Sequence, residues 1–125
     1  MPSRQRLKRI ADRIQEVISE MLVTGQISDP RLEDLYITDV TVDRELTFAN
    51  IFVSALSGKE SSKEILGGLE HASGYLRSTL ARQIELRTFP QLRFFWDETP
   101  ERAERIEKLI DSLNTGKTQR NEQEN

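Results

Sequence analysis

The sequence predicts an α+β fold in which helices pack on a three-stranded sheet. Long segments repeat apolar residues at helical spacing, and short ones alternate at period two or are rich in β-branched and aromatic residues. In chain order the elements are α-β-β-α(kink)α-β-α. A chain of 125 residues fits one domain. We assign that domain to residues 1–113 and predict a disordered polar tail at residues 114–125.

The first helix is predicted from Arg4 to Thr24, with Gly25 placed to cap its C-terminal end. Its apolar stripe comprises Leu7, Ile10, Ala11, Ile14, Val17, Ile18, Met21 and Leu22. A turn at residues 28–30 follows, and then two strands at residues 35–42 and 46–55. These strands form a predicted hairpin through residues 43–45.

The next segment carries glycines inside a helical stripe. The stripe consists of Ile65, Leu69, Ala72, Leu76, Leu80 and Ile84. Gly74 lies within it, after Gly67 and Gly68, and a glycine inside a helix costs about 1 kcal/mol relative to alanine. The pattern predicts a kink at Ala72, Ser73 and Gly74, with a contact surface for a partner at the bend. The alternative is that the glycines let the helix pack close to the sheet.

A third strand and a last helix complete the predicted fold. Pro90 precedes the strand at residues 92–96, and Thr99-Pro100 is a good start for the helix. The helix has a predicted buried stripe of Ala103, Ile106, Leu109, Ile110 and Leu113.

Charge is segregated along the chain although the net charge is only −3. Residues 1–15 hold five basic side chains against one acidic, and residues 71–96 hold four against one. Residues 16–70 hold eleven acidic side chains against four basic. A dipolar molecule with one basic side is predicted, and a basic side of this kind suits phosphates.

Composition argues against several classes of function. The chain has no cysteine, one histidine and no apolar run of membrane-spanning length. We therefore expect no metal site, no cofactor, no small-molecule substrate, no membrane segment and no enzymatic activity, and we expect a cytoplasmic location. The acidic pairs at residues 33–34 and 97–98 are expected to be only solvated.

Four stretches in order resemble the bacterial ribosome-binding factor A family over about residues 4–113. They are the Arg-rich start of the first helix, residues 37–40, residues 72–77 around Ala-Ser-Gly, and residues 90–97. The resemblance implies a type II KH-like fold whose Ala-x-Gly kink replaces the usual Gly-x-x-Gly loop. It also implies a non-enzymatic assembly factor, monomeric off the ribosome. Such a factor binds the immature small (30S) subunit and 16S rRNA, supports 5′-end processing and matters in the cold. The overall acidity departs from the basic surface that is common in the family.

The predicted RNA-binding residues fall in two groups. They are Arg4, Arg6, Lys8, Arg9 and Arg13 on the first helix, and Ser73, Gly74, Arg77, Arg82 and Arg87 on or after the second. The first group has the better electrostatic basis, because positive charge at a helix N-terminus opposes the helix dipole. Arg82 and Arg87 lie toward a helix C-terminus, where cations are favourable without any ligand.

Some candidates carry weaker signals. His71 is expected to be exposed beside the kink, and Phe94, Phe95 and Trp96 either stack bases or divide between core and surface. The alternative function is a protein-interaction adaptor that docks a basic partner through its acidic hairpin region.

Overall fold

The computed structural model describes residues 2–124, with side chains described for residues 2–114. The elements are α1 Arg4–Val23, β1 Leu35–Val42, β2 Phe48–Ala55, α2 Ser62–Gln83, β3 Gln91–Trp96 and α3 Thr99–Glu124. Short 3-10 turns at Pro30–Leu32 and Lys59–Ser61 precede β1 and α2. The predicted α+β class is confirmed. The predicted disordered tail falls almost wholly on residues outside the described side chains, and it stays a prediction.

The sheet has β2 at its centre, antiparallel to β1 and parallel to β3. Because β2 and β3 run in the same direction, α2 forms the crossover connection between them. α1 packs on β1 and α2 packs on β3, and inward side chains of all three strands join both helices in one core. Both helices therefore cover the same face of the sheet, and the predicted apolar stripes of α1 and α2 pack against that face.

A β-bulge in β1 keeps the core face in phase. Ile37 pairs with Val53 and Asp39 pairs with Phe52, so one extra residue is inserted between them. Ile37 and Val40 are three residues apart, yet both are buried in the core. In a regular strand residues three apart point to opposite faces, and the bulge removes that conflict.

α1 begins at the predicted Arg4 and ends one residue before the predicted Thr24, and the predicted cap at Gly25 is present. The Ser3 hydroxyl accepts a hydrogen bond from the Arg6 backbone N–H at 3.2 Å and caps the N-terminus. At the other end Gly25 has a φ of +75°, and the Gln26 N–H donates to the Met21 carbonyl at 3.1 Å. This is the Schellman arrangement, which requires a left-handed residue after the helix.

α2 runs without a break from Ser62 to Gln83, and the predicted kink residues Ala72, Ser73 and Gly74 lie inside it in helical conformation. Gly74 has no left-handed backbone, since the glycines with positive φ are Gly25 and Gly58. A single glycine is tolerated in a helix whose apolar stripe is buried on both sides of it, because tertiary packing outweighs propensity.

Gly68 is the most closely packed glycine of α2. A Cβ atom there would lie 3.1 Å from Leu32 Cδ2 and 3.3 Å from Arg31 Nε. Leu32 is buried, so its side chain has little room to move away. The packing alternative therefore applies at Gly68, although the neighbour is the 3-10 turn before β1 and not the sheet.

We expect Gly68→Val to lower the free energy of unfolding by about 1–3 kcal/mol through overpacking against Leu32. Urea unfolding measures the change. Gly67→Val is the matched control, because a Cβ atom at Gly67 comes no closer than 4.0 Å to Arg31 Nη1. Equal stability of the two variants would show that the turn adapts to the added side chain.

The predicted packing of α3 on the sheet is wrong. Its apolar residues Ile106, Leu109, Ile110 and Leu113 are between 49% and 65% exposed. The start of the helix is nevertheless anchored, because Asp97 accepts hydrogen bonds from the Thr38 hydroxyl at 2.7 Å and the Thr99 N–H at 2.9 Å. The bond from Thr38, with those from Thr99, lowers the pKa of Asp97 below the ordinary carboxyl value.

Candidate nucleic-acid interface

The N-terminus of α1 lies beside the β1–β2 hairpin. Leu7 and Lys8 of α1 line a groove together with Val40, Thr41 and Val42, at the end of β1 that leads into the hairpin turn. α1 therefore begins at the hairpin and runs toward the opposite end of the sheet.

α2 runs the other way and ends at the same side of the domain. It leads into β3, whose first residue, Gln91, pairs with Phe48 directly after the hairpin turn. We call the region formed by the α1 N-terminus, the turn at residues 43–47 and the connection at residues 84–90 the hairpin end. The topology thus places two basic segments, which are distant in sequence, at one end of the molecule.

Five basic residues of α1 are exposed, but they differ in their partners. Lys8 pairs with Asp12 at 3.2 Å, and Arg13 pairs with Glu16 at 3.2 Å. No described residue forms an ion pair with any of three others, which are Arg4, Arg6 and Arg9. The first turn of α1 also contains no acidic residue. These three guanidinium groups add positive charge to the positive end of the helix dipole.

Arg77 has a structural role in the fold. Its side chain is half-buried, and it donates to the Phe89 carbonyl at 2.6 Å and to the Pro90 carbonyl at 3.1 Å. It thereby holds α2 to the segment that enters β3. Helical spacing alone cannot reveal such a bond, because the carbonyl acceptors belong to another part of the chain.

Arg82 and Arg87 are exposed toward the hairpin end, and Arg82 donates to the Thr79 hydroxyl at 3.3 Å. Arg44 is also exposed at this end, in the hairpin turn, although the sequence pattern did not predict it as a site residue. Arg44 lies between Asp43 and Glu45, so the local charge is acidic and gives no signal of a basic site. The Asp43 carboxylate, however, binds the backbone of its own turn, because its Oδ1 accepts hydrogen bonds from the Thr47 and Phe48 N–H groups.

The three residues of the predicted kink differ in their exposure to solvent. Ala72 and Ser73 are half-buried, whereas Gly74 is exposed with nothing within 4 Å of a Cβ atom placed on it. Tyr75 beside it is 50% exposed. No contact inside the described fold requires a glycine at position 74. Close approach by a partner therefore remains a reason for its presence.

We expect Gly74→Ala to raise the free energy of unfolding by up to about 1 kcal/mol, because the site has ordinary helical torsions and open space. Thermal unfolding measures this change. A destabilised variant would contradict the helical geometry. If the stabilised variant loses affinity for its partner, the glycine serves close approach; full affinity would show that it does not.

The candidates with weaker sequence signals differ in their exposure to solvent. His71 is exposed, as expected, and Phe94 is buried in the core. Phe95 points to the other face of the sheet and is 40% exposed, while Trp96 is half-buried. Only Phe95 of the three aromatic residues presents much of its ring to solvent.

Acidic side chains expected to be merely solvated have structural partners. Asp34 accepts from the Ser57 N–H at 2.7 Å. Glu98 pairs with Lys59 at 2.7 Å and with Arg102 at 3.0 Å, and the hydrogen bond with Lys59 is the main cause that lowers the pKa of Glu98. These contacts connect loops to neighbouring elements. They leave fewer unpaired carboxylates for the basic partner that the adaptor alternative requires than the sequence suggests.

The described part of the chain contains no group of three or more His, Asp or Glu side chains that could hold a metal ion. In the same part, no helix combines the length and apolarity that crossing a membrane requires.

Comparison with known proteins gives one family. The family model described as ribosome-binding factor A matches residues 6–110. A ribosome-binding factor A of Nitrosomonas europaea is 42% identical over 85% of this chain and 90% of its own length. That of Clostridioides difficile is 39% identical over 100% of this chain and 98% of its own.

Solved structures show the same fold. The crystal structure of ribosome-binding factor A from Thermus thermophilus superposes with a TM-score of 0.61 at 24% identity, and covers 71% of this chain and 93% of that one. A homology model of the Thermus thermophilus protein, fitted into a cryo-EM map of a 30S complex, superposes with a TM-score of 0.51 at 24% identity over 69% of this chain and 93% of its own. Because the family model matches residues 6–110 and relatives of 39% and 42% identity match 85% or more of the chain, the chain belongs to the ribosome-binding factor A family.

Proposed function

We propose that this protein is an assembly factor that binds the immature small ribosomal subunit through 16S rRNA phosphates at its hairpin end. Binding supports maturation of the subunit and processing of the rRNA 5′ end, and it matters most in the cold. The protein acts in the cytoplasm and is a monomer when it is off the ribosome.

The observation that carries the proposal is the group of three exposed arginines at the start of α1. Each positive charge at a helix N-terminus costs about 0.3–1 kcal/mol at low salt. Arg4, Arg6 and Arg9 have no acidic partner among the described residues to offset that cost. Phosphate groups would supply the missing negative charge, because guanidinium binds phosphate with two parallel hydrogen bonds.

Two further points support an RNA partner. Arg44, Arg82 and Arg87 lie toward the same end, which widens the basic surface beyond one helix. The relatives are named for ribosome binding, and the Thermus thermophilus relative was fitted as part of a 30S complex. Ser73 and Gly74 on α2 add a place where an RNA backbone can approach the helix closely, as in KH domains.

The experiment is sedimentation of the purified protein with immature and mature small subunits on sucrose gradients. We expect preferential binding to the immature subunit at low salt. We also expect the affinity to fall steeply as salt rises, since each phosphate contact releases counterions. Binding to neither particle would overturn the proposal. Binding that is insensitive to salt and survives digestion of the RNA would favour the adaptor.

A further inference from the structure

The sheet face opposite α1 and α2 carries aromatic rings. Six outward side chains form what we call the aromatic face, and they are Tyr36, Phe48, Asn50, Phe52, Arg93 and Phe95. Tyr36 is 38% exposed and Phe95 is 40% exposed. The aliphatic residues of the strands lie mainly on the other face, in the core.

The rings pair with neighbouring side chains on the same face of the sheet, and we call each such pair a platform. Phe52 and Phe95 pair across β2 and β3, and their rings stack with centroids 5.4 Å apart and an interplanar angle of 27°. Two residues closer to the hairpin on the same face, Arg93 donates to the Asn50 side-chain oxygen at 2.9 Å. The same guanidinium lies 3.8 Å from the centroid of the Phe48 ring. In each platform the ring is held by a neighbour on the same face, so little order has to be gained on binding.

We propose that the aromatic face is a second RNA-binding surface, on which unpaired bases stack while phosphates are held at the hairpin end. This inference rests on the proposed function. Open sheets with outward aromatic rings bind single-stranded RNA by stacking, and stacking accepts any base because every base has a π-face. Asn50 and Arg93 add hydrogen-bonding groups beside the rings.

Position favours RNA over a protein partner. Phe48 follows the hairpin turn directly and pairs with Gln91, so the aromatic face adjoins the hairpin end. The hairpin end thus connects the arginines of α1, on one side of the sheet, to the rings on the other side. An amphipathic helix would instead need an aliphatic groove, and this face offers aromatic rings, an amide and a guanidinium.

The test uses Phe95→Leu, which removes the platform but keeps an apolar side chain, and Phe95→Tyr as the ring-retaining control. The probe is a fluorescein-labelled single-stranded oligoadenylate of about ten nucleotides, which spans a typical single-strand site. We expect Phe95→Leu to lose roughly tenfold in affinity by anisotropy, and Phe95→Tyr to bind like the parent. The slope of log affinity against log salt should stay unchanged in both, because stacking releases no counterions.

NMR titration of the parent protein with the same oligonucleotide keeps the test independent of variant stability. Shifts of the Phe52 and Phe95 ring signals support the proposal, and unmoved ring signals overturn it. Equal affinity of Phe95→Leu and the parent also overturns it. If Phe95→Leu weakens binding to small subunits but not to the oligonucleotide, the face binds a protein and the RNA assignment fails. Failure of the proposed function would appear separately, as charge reversal on α1 that leaves the salt slope unaltered.

Discussion

Simultaneous charge reversal of Arg4, Arg6 and Arg9 to glutamate is expected to lower the affinity for small subunits by about 100-fold or more. The slope of log affinity against log salt should fall by roughly two to three, since each lost phosphate contact removes about 0.7–0.9. Stability should stay equal or rise, because glutamate at positions 4 and 6 lies in the first turn and favours the helix dipole, and Arg9 has no ion pair among the described residues to lose. Gradient sedimentation at several salt concentrations and thermal unfolding provide the two measurements.

The choice of these three residues depends on the structure. The sequence favours Arg6, Arg9 and Arg13, which are spaced along one flank of α1. Arg13, however, pairs with Glu16, whereas Arg4 has no ion-pair partner among the described residues. Reversal at Arg13 would therefore mix the loss of an intrahelical pair with the loss of a phosphate contact.

A control of equal charge change reverses three exposed bases away from the hairpin end, namely Lys63 on α2 with Arg105 and Lys108 on α3. It changes the net charge by the same amount, so it separates local phosphate contact from general repulsion. Lys108 pairs with Glu104 at 3.2 Å, so thermal unfolding of the control accounts for the loss of this intrahelical pair. Equal loss of binding in both variants would mean that only net charge matters. A marked drop in melting temperature for the α1 variant would show that its arginines are structural.

Replacement of Arg77 by methionine is expected to lower the free energy of unfolding by about 2–3 kcal/mol. The substitution keeps the apolar stem but removes the two charge-assisted bonds to the Phe89 and Pro90 carbonyls. Phe89 and Pro90 are buried, so water cannot easily replace the lost donors. Urea unfolding of the variant measures the effect.

Arg82→Met is the control, because Arg82 is exposed and makes one weak bond to Thr79. It should change stability by no more than about 0.5 kcal/mol. Where both variants are folded, Arg77→Met should retain binding to small subunits. Unchanged stability with lost binding would reverse the assignment and make Arg77 an RNA contact.

The helices that face the core can be predicted from the spacing of their apolar residues alone. Buried stripes on α1 and α2 recur at three and four residues, and local signals such as Gly25 and Thr99-Pro100 mark where helices begin or end. β1 also agrees with its predicted bounds, whereas β2 begins two residues later than predicted, at Phe48. The turn there is longer because the Asp43 carboxylate binds the N–H groups of Thr47 and Phe48.

α3 shows where periodicity misleads. Its apolar residues have helical spacing, and a helix is present, but spacing does not say whether another element covers the stripe. The sheet has one face filled by α1 and α2, and the other carries aromatic and polar side chains. Periodicity therefore predicts the secondary structure of α3 correctly and its burial wrongly.

The sequence by itself determined the α+β class, the core stripes of α1 and α2, and the segregation of basic charge, because each depends on residues close together in the chain. Only the tertiary structure decided that the two basic segments share the hairpin end, that Arg77 binds backbone carbonyls and that Gly68 packs closely against Leu32. It also decided that Phe52 and Phe95 form one platform. Those properties depend on partners between 12 and 43 residues away or on another strand, and the antiparallel run of α1 and α2 and the pairing of β2 with β3 bring the partners together.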